Sequence, residues 1–227
     1  MSGSEQFYDQ MAGDYDDAIL RCVPRYFEMH EAILAYVPAA LRPKRILELG
    51  SGSGHLTRRI LKTYPEARVY AVDVSREMIV ECRRTTGDDA LGFVRMDFHE
   101  LCFSPRVFDL VVSSISIHHI DHKAKRKLFR EVHDCLRPGG VLAYSDQFAG
   151  DDDEIYARHI RAWKEESARL GASNAEWRTW MQHQDDHDHH ASLRDQLRCL
   201  EEAGFGTTAC VWRYLLWTFV LAIRQSQ

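Results

Sequence analysis

Arg45 to Thr57 reads R-I-L-E-L-G-S-G-S-G-H-L-T, and it sets the organisation of the whole chain. Ile46, Leu47 and Leu49 predict a short buried strand, Gly50, Gly52 and Gly54 a turn, and a helical pattern starts directly afterwards. Glycine lets backbone approach a ligand closely, and the first N–H groups of a helix have no partner inside it. A strand, glycine turn and helix start in this order hold an anionic or polar small molecule. A dinucleotide fingerprint needs a third glycine three positions after the second, where this chain has His55 or Thr57. A phosphate loop needs Gly-Lys-Ser/Thr, and His55-Leu56 stands in its place.

What remains is Glu-x-Gly-x-Gly-x-Gly, with Glu48 inside the turn. A carboxylate there repels a pyrophosphate and attracts a cationic amino acid moiety. Asp73 closes the next apolar strand, Arg68 to Val74, where an acid accepts hydrogen bonds from two ribose hydroxyls. A nucleoside with an ammonium and no phosphate fits both acids, and S-adenosylmethionine is such a molecule.

Four further stretches follow: A-V-D-V-S (71–75), V-R-M-D-F (94–98), F-D-L-V-V-S-S (108–114) and L-R-P-G-G-V-L (136–142). In this order the chain resembles the class I S-adenosylmethionine-dependent methyltransferases, from about Phe7 to Arg224 and most densely from Arg45 to Gln147. The likeness extends to a small-molecule branch with S-I-H-H-I (116–120) after the fourth strand, Asp146-Gln147 after the fifth and a Q-L-x-x-L-x-x-A-G-F helix (196–205). The resemblance implies an α/β, Rossmann-like seven-stranded sheet of order 3-2-1-4-5-7-6, last strand antiparallel, with helices on both faces and a helical lid insertion. It places Glu48, Gly50, Ser51, Gly52 and Gly54 around the methionine end of the cofactor and Asp73 at its ribose. Val74 and Met78 would flank the adenine, with Asp97 and Phe98 at its edge; Ser113 and Tyr15 complete the cofactor set. Tyr15-Asp16 resembles a pair that folds over the cofactor in the family's N-terminal segment.

The rest of the chain is read as one methyltransferase domain over 1–227. Residues 1–44 form an N-terminal helical cap, with a helix opened by Pro24 whose apolar positions are Phe27, His30, Ile33, Leu34 and Val37. Residues 45–147 form the cofactor-binding core, in which strands alternate with helices capped at Ser53, Ser75 and Asp121. Strands are expected at Phe93–Met96, Val107–Ser114 and Val141–Ser145, with Pro138-Gly139-Gly140 stopping the helix before the last. Residues 148–191 form the lid, two tryptophan-rich helices, the second with a capping box at Ser173 and Glu176. Residues 192–227 give a helix and two strands, Thr207–Tyr214 and Trp217–Ile223.

Length allows one domain with a large core, and 45% hydrophobic with 28% charged residues reads as an ordinary globular protein. A formal net charge of −5 without a basic stripe argues against nucleic acid, whose affinity comes largely from phosphate neutralisation. No apolar run reaches the ~20 residues of a membrane helix. The six cysteines show no metal spacing and read as small buried hydrophobes of a cytoplasmic protein.

Catalytic expectations centre on His119 and its neighbour His118, on the rim beyond the fourth strand. A neutral imidazole suits proton removal from a hydroxyl acceptor. Arg21, Tyr26, His30, Trp163, Trp180 and Trp212 are the expected substrate contacts. Met181 to His190, M-Q-H-Q-D-D-H-D-H-H, departs from the family pattern and reads as a solvated loop. His187 and His189 are its candidates for a divalent ion, and no metal is expected. The expected activity is methyl transfer from S-adenosylmethionine, leaving S-adenosylhomocysteine, to an oxygen or nitrogen of a small molecule. Two alternatives remain: a tRNA-wobble (carboxy)methyl-transferring enzyme, or a silent cofactor-binding protein. A homodimer is left open.

Overall fold

The structure, a computed structural model, describes residues 3–87 and 91–226. Three helices lead, α1 (Gly3–Met11), α2 (Tyr15–Cys22) and α3 (Tyr26–Ala35). Alternation follows: β1 (Arg45–Leu49), α4 (His55–Thr63), β2 (Arg68–Asp73), α5 (Arg76–Thr86), β3 (Leu91–Arg95), β4 (Phe108–Ser114), α6 (His122–Cys135) and β5 (Leu136–Gln147). Then come α7 (Asp153–Arg169), α8 (Asn174–His187), α9 (Leu193–Glu202), β6 (Thr207–Tyr214) and β7 (Trp217–Ile223). The strands form one sheet of order β3-β2-β1-β4-β5-β7-β6, parallel except that β7 runs antiparallel to both of its neighbours. Chain direction across the sheet reverses between β1 and β4, so a crevice opens beyond their carboxyl ends.

Both sheet faces are covered, which is why β1 and β4 are buried almost throughout, on successive residues and not on alternate ones. One face packs Leu47, Leu49 and Val111 against Leu128, Phe129 and Val132 of α6 and Leu200 of α9. The other packs Ile46, Leu110 and Val112 against Ile33 of α3 and Leu56 and Ile60 of α4. Each such side chain stabilises the fold by roughly 1.5–3 kcal/mol through removal from water. A third cluster joins Ile19 and Val23 to Met29, Trp163 and Trp217. There the Trp163 indole N–H donates to the Cys22 carbonyl at 2.6 Å, hanging α7 on the end of α2. Among the described residues no helix is long and apolar enough to cross a membrane.

Caps at Ser75 and Asp121, and the Ser173–Glu176 capping box, stand where the sequence places them. Each such cap is worth ~1 kcal/mol. Ser53 does not cap α4: left-handed Gly54 (φ 91°) holds the cap position, and the Ser53 hydroxyl donates to Asp16. β5 starts at Leu136, not Val141, because the Pro138-Gly139-Gly140 backbone is taken into pairing. Gly139 N–H donates to the Arg224 carbonyl and Arg224 N–H to that of Gly140. Phe27 is 41% exposed, outside the buried face of α3, with the Arg59 guanidinium 5.0 Å from its ring centroid. Of the cysteines only Cys82 and Cys135 are buried; Cys102 and Cys210 are exposed. The stretch expected as a solvated loop is the last two turns of α8 and a segment docked on the sheet end. His189 N–H donates to the His118 carbonyl at 2.7 Å, and Ala149 N–H to that of Ala191 at 3.0 Å.

Candidate functional site

Beyond β1 and β4 lies a cleft of about 930 Å³. The glycine turn forms its floor. Gly50 has φ 72°, and a Cβ there would lie 2.4 Å from Ser116, so only glycine lets the loops after β1 and β4 meet. Gly52, at φ 52°, donates its N–H to Asp73 Oδ2 at 2.8 Å, while Ser75 N–H reaches Oδ1 at 2.9 Å. The Asp73 carboxylate is thereby aimed across the turn with acceptor capacity left over.

Glu48 is 1% exposed and one of its carboxylate oxygens has no partner. Burial raises its pKa from 4.5 to about 8, against a lowering hydrogen bond from Thr57 and with a further push from Asp73. A buried carboxylate with an idle oxygen, facing a cleft, is a receptor for a cation. The Ser51 hydroxyl is likewise buried and unpartnered. This pairing of an orphaned acid with a glycine floor and a second acid fits the aminoacyl and ribose parts of S-adenosylmethionine.

Tyr15, Val74, Met78, Asp97 and Phe98 line the same cleft, as do Tyr26, His30 and His119. His30 is fully buried and hydrogen-bonded to the Ser114 hydroxyl at 2.9 Å; burial, with Arg59 and His55 nearby, lowers its pKa to about 3. It is a neutral wall group. The other expected residues lie elsewhere. Ser113 sits beneath the floor, its hydroxyl donating to the Leu49 carbonyl. Gly54 faces Cys82, Thr85 and Thr86 and permits α4 to pack on α5. Arg21 is held by Glu176 at 2.6 Å, and the Trp212 indole donates to Glu28 at 3.0 Å, both outside the described cavities.

A second cavity, of about 600 Å³, adjoins the first and shares Tyr8, Tyr15 and Ile115 with it. Phe7, Met11, Ile19, Val23, Trp163 and Trp180 give it apolar walls, and His118, His183, Gln147, Gln184 and Asp188 a polar end. Gln147 bridges to Gln184 at 2.7 Å, joining the sheet end to α8. At the boundary the His119 ring spans two partners, Asp188 at Nδ1 (2.9 Å) and Tyr8 at Nε2 (2.9 Å). An ionised carboxylate only accepts, so Nδ1 carries the proton and Nε2 accepts from the Tyr8 hydroxyl. Burial, helped by His118, lowers the His119 pKa to about 4, so the ring is neutral at pH 7.

His118 is buried with its Nδ1 on Asp146. Burial opposes its protonation, but Asp146 and Asp188 outweigh that and hold its pKa above the ordinary value. Burial likewise opposes ionisation of Asp188, and the imidazoles around it, His118 first, hold its pKa well below the ordinary value. Asp188 and Tyr8 escaped the sequence reading. Neither carries a motif, and only the docking of the segment after α8 brings Asp188 to the histidines.

The sequence profile described as "Methyltransferase domain" matches residues 46–140. The malonyl-[acyl-carrier protein] O-methyltransferase of Priestia megaterium is 30% identical over 119 residues, 52% of this chain and 42% of that protein. The trans-aconitate 2-methyltransferase of Streptomyces avermitilis is 33% identical over 147 residues, 60% of this chain and 53% of that protein. The chain thus spans about half the length of these two relatives. The solved DhpI–SAH complex superposes with a TM-score of 0.68 at 21% identity, covering 98% of this chain and 95% of that one, which is a likeness of fold. The sequence profile and the relatives make residues 46–140 a methyltransferase domain, and the sheet has the strand order expected from the likeness to the class I S-adenosylmethionine-dependent methyltransferases.

Proposed function

We propose that the chain moves a methyl group from S-adenosylmethionine to an oxygen or nitrogen of a small, partly apolar molecule. The observation that carries this reading is the pair of adjoining cavities that meet at the Tyr8–His119 hydrogen bond. Bound in the first, the cofactor supplies an electrophilic methyl group on a sulfonium. Glu48 would hold its ammonium, Asp73 its ribose hydroxyls, and Val74, Met78 and Phe98 its adenine.

Sulfonium charge is dispersed as methyl transfer proceeds, so a site that excludes water favours the transition state. Apolar walls from Trp163 and Trp180 dry and orient the acceptor, and α7 and α8 serve as the lid. Orientation of this kind reaches effective molarities of ~10⁵ to 10⁸ M. His119 would take the acceptor's proton at Nε2, directly or through Tyr8, while Asp188 fixes its tautomer; such help is worth ~10²- to 10⁴-fold. A relative named as an O-methyltransferase supports oxygen as the target atom.

Transfer of a radiolabelled methyl group into a fractionated metabolite extract tests the reading. Cofactor binding without transfer to any fraction would leave a binding protein in its place.

A further inference from the structure

Asp188 is encircled by imidazoles. Its Oδ1 lies 2.9 Å from His119 Nδ1, 3.7 Å from His118 Nε2 and 3.8 Å from His183 Nε2, and its Oδ2 lies 3.5 Å from His190 Nε2. One ligand atom each from His118, His119 and Asp188 falls within 4.8 Å of the others. Asp146 accepts a hydrogen bond from the Nδ1–H of His118. Nε2 of that ring, facing a carboxylate, therefore needs a positive charge between the two, either a second proton or a metal ion. The outer rings favour the ion. The side chains of His183 and His190 are each 9% exposed, yet both ring nitrogens of His183 and Nε2 of His190 have no hydrogen-bond partner. A proton on His118 leaves those lone pairs idle, whereas an ion beside Asp188 gives them work as ligands or as partners of its bound water.

We propose that His118, His119 and Asp188 form a binding site for one divalent first-row transition ion, open to the second cavity. Two imidazoles and one carboxylate suit Zn²⁺, Fe²⁺, Co²⁺ or Mn²⁺ and not Ca²⁺ or Mg²⁺, which take oxygen ligands. Ligands ~2.0–2.2 Å from an ion stand roughly 3–3.6 Å apart, so small side-chain shifts close the site. Asp146 behind His118 is the carboxylate that orients a metal-bound imidazole. Three protein ligands leave a coordination position for water or an acceptor oxygen, a role that rests on the methyl-transfer reading. With the ion on Nδ1, His119 becomes a ligand, and lowering of the acceptor's pKa passes from base to ion.

The test uses the chelator-treated chain titrated with Co²⁺, followed by visible absorption and calorimetry, with S-adenosylhomocysteine binding measured on the same samples. Expected are one Co²⁺ per chain with intense visible bands of a site below six-coordinate. Asp188→Ala and His118→Ala should weaken binding at least tenfold, and the exposed-histidine variants His122→Ala and His189→Ala should change it less than twofold. Absence of saturable one-to-one binding, or equal affinity in Asp188→Ala, overturns the site. Should either buried variant fail to fold, X-ray absorption at the cobalt edge of the unaltered protein decides: at least two imidazoles per ion are expected, and fewer overturn it. Failure to bind S-adenosylhomocysteine while Co²⁺ binds would instead sink the methyl-transfer reading.

Discussion

Gly50 and Ser116 approach so closely that a single added methyl group at residue 50 would lie 2.4 Å from the serine's Cβ and hydroxyl. The contact joins the loops after β1 and β4, where the sheet reverses its winding and the cleft begins.

Gly50→Ala therefore meets two costs. A left-handed backbone costs an alanine about 1–2 kcal/mol, and the clash adds to it. A loss of ~2 kcal/mol lowers Tm by roughly 4–8 °C in a domain of this size. Cofactor affinity should fall at least tenfold. Adding Ser116→Gly should restore part of the Tm, whereas Ser116→Ala, which keeps the Cβ, should not; equal recovery from both would refute the steric account.

Glu48 gives the protein a pH signature. Its folded pKa, about 8, lies above its ordinary 4.5, so a proton on Glu48 favours the folded cofactor-free protein. That contribution is complete below pH 4.5 and is lost as pH rises through 8. Glu48→Gln should flatten the fall in Tm between about pH 5 and 9. A bound ammonium pulls the pKa down, so cofactor binding near pH 7 should release a proton. Calorimetry in buffers of different ionisation heat reads this directly. Proton uptake, or the same release in Glu48→Gln, would count against the assignment.

His119→Ala should leave S-adenosylhomocysteine affinity within about threefold while slowing turnover at least tenfold, in keeping with loss of a proton acceptor. Tyr8→Phe, which deletes only the hydroxyl on Nε2, should slow turnover less. Single-turnover rates with the identified acceptor measure both, and unchanged rates in His119→Ala would remove the base.

Arg21 is expected to matter little for chemistry. Its guanidinium is tied to Glu176 with both side chains about a third exposed, so Arg21→Ala should cost ~0–1 kcal/mol. The acceptor KM should stay within about twofold; a tenfold rise would return Arg21 to the binding site.

Much of the architecture was legible locally. Glycines and acids at fixed spacing announced the turn after β1, and the two last strands, β6 and β7, were legible to the residue. Strand order followed from the family likeness. What stayed hidden was set by distance. Asp188 looked like one charge in a polar run, and the segment that carries it is held by Lys125 of α6, which reaches the carbonyl of His189 from 64 residues earlier in the chain. Ser53 looked like a helix cap because nothing nearby shows Asp16 waiting for its hydroxyl. Short-range grammar finds strands, turns and caps; it does not see partners supplied from another part of the chain.

The first two helices are fastened to the turns that border the cleft: Asp9 to the hydroxyl of Ser75 at 2.6 Å, Asp16 to that of Ser53. Door and floor therefore share hinges. Were α1 and α2 to swing clear of the cleft, both serine contacts would break, which would give Asp9 and Asp16, far from the methyl-transfer chemistry, a hand in its tempo.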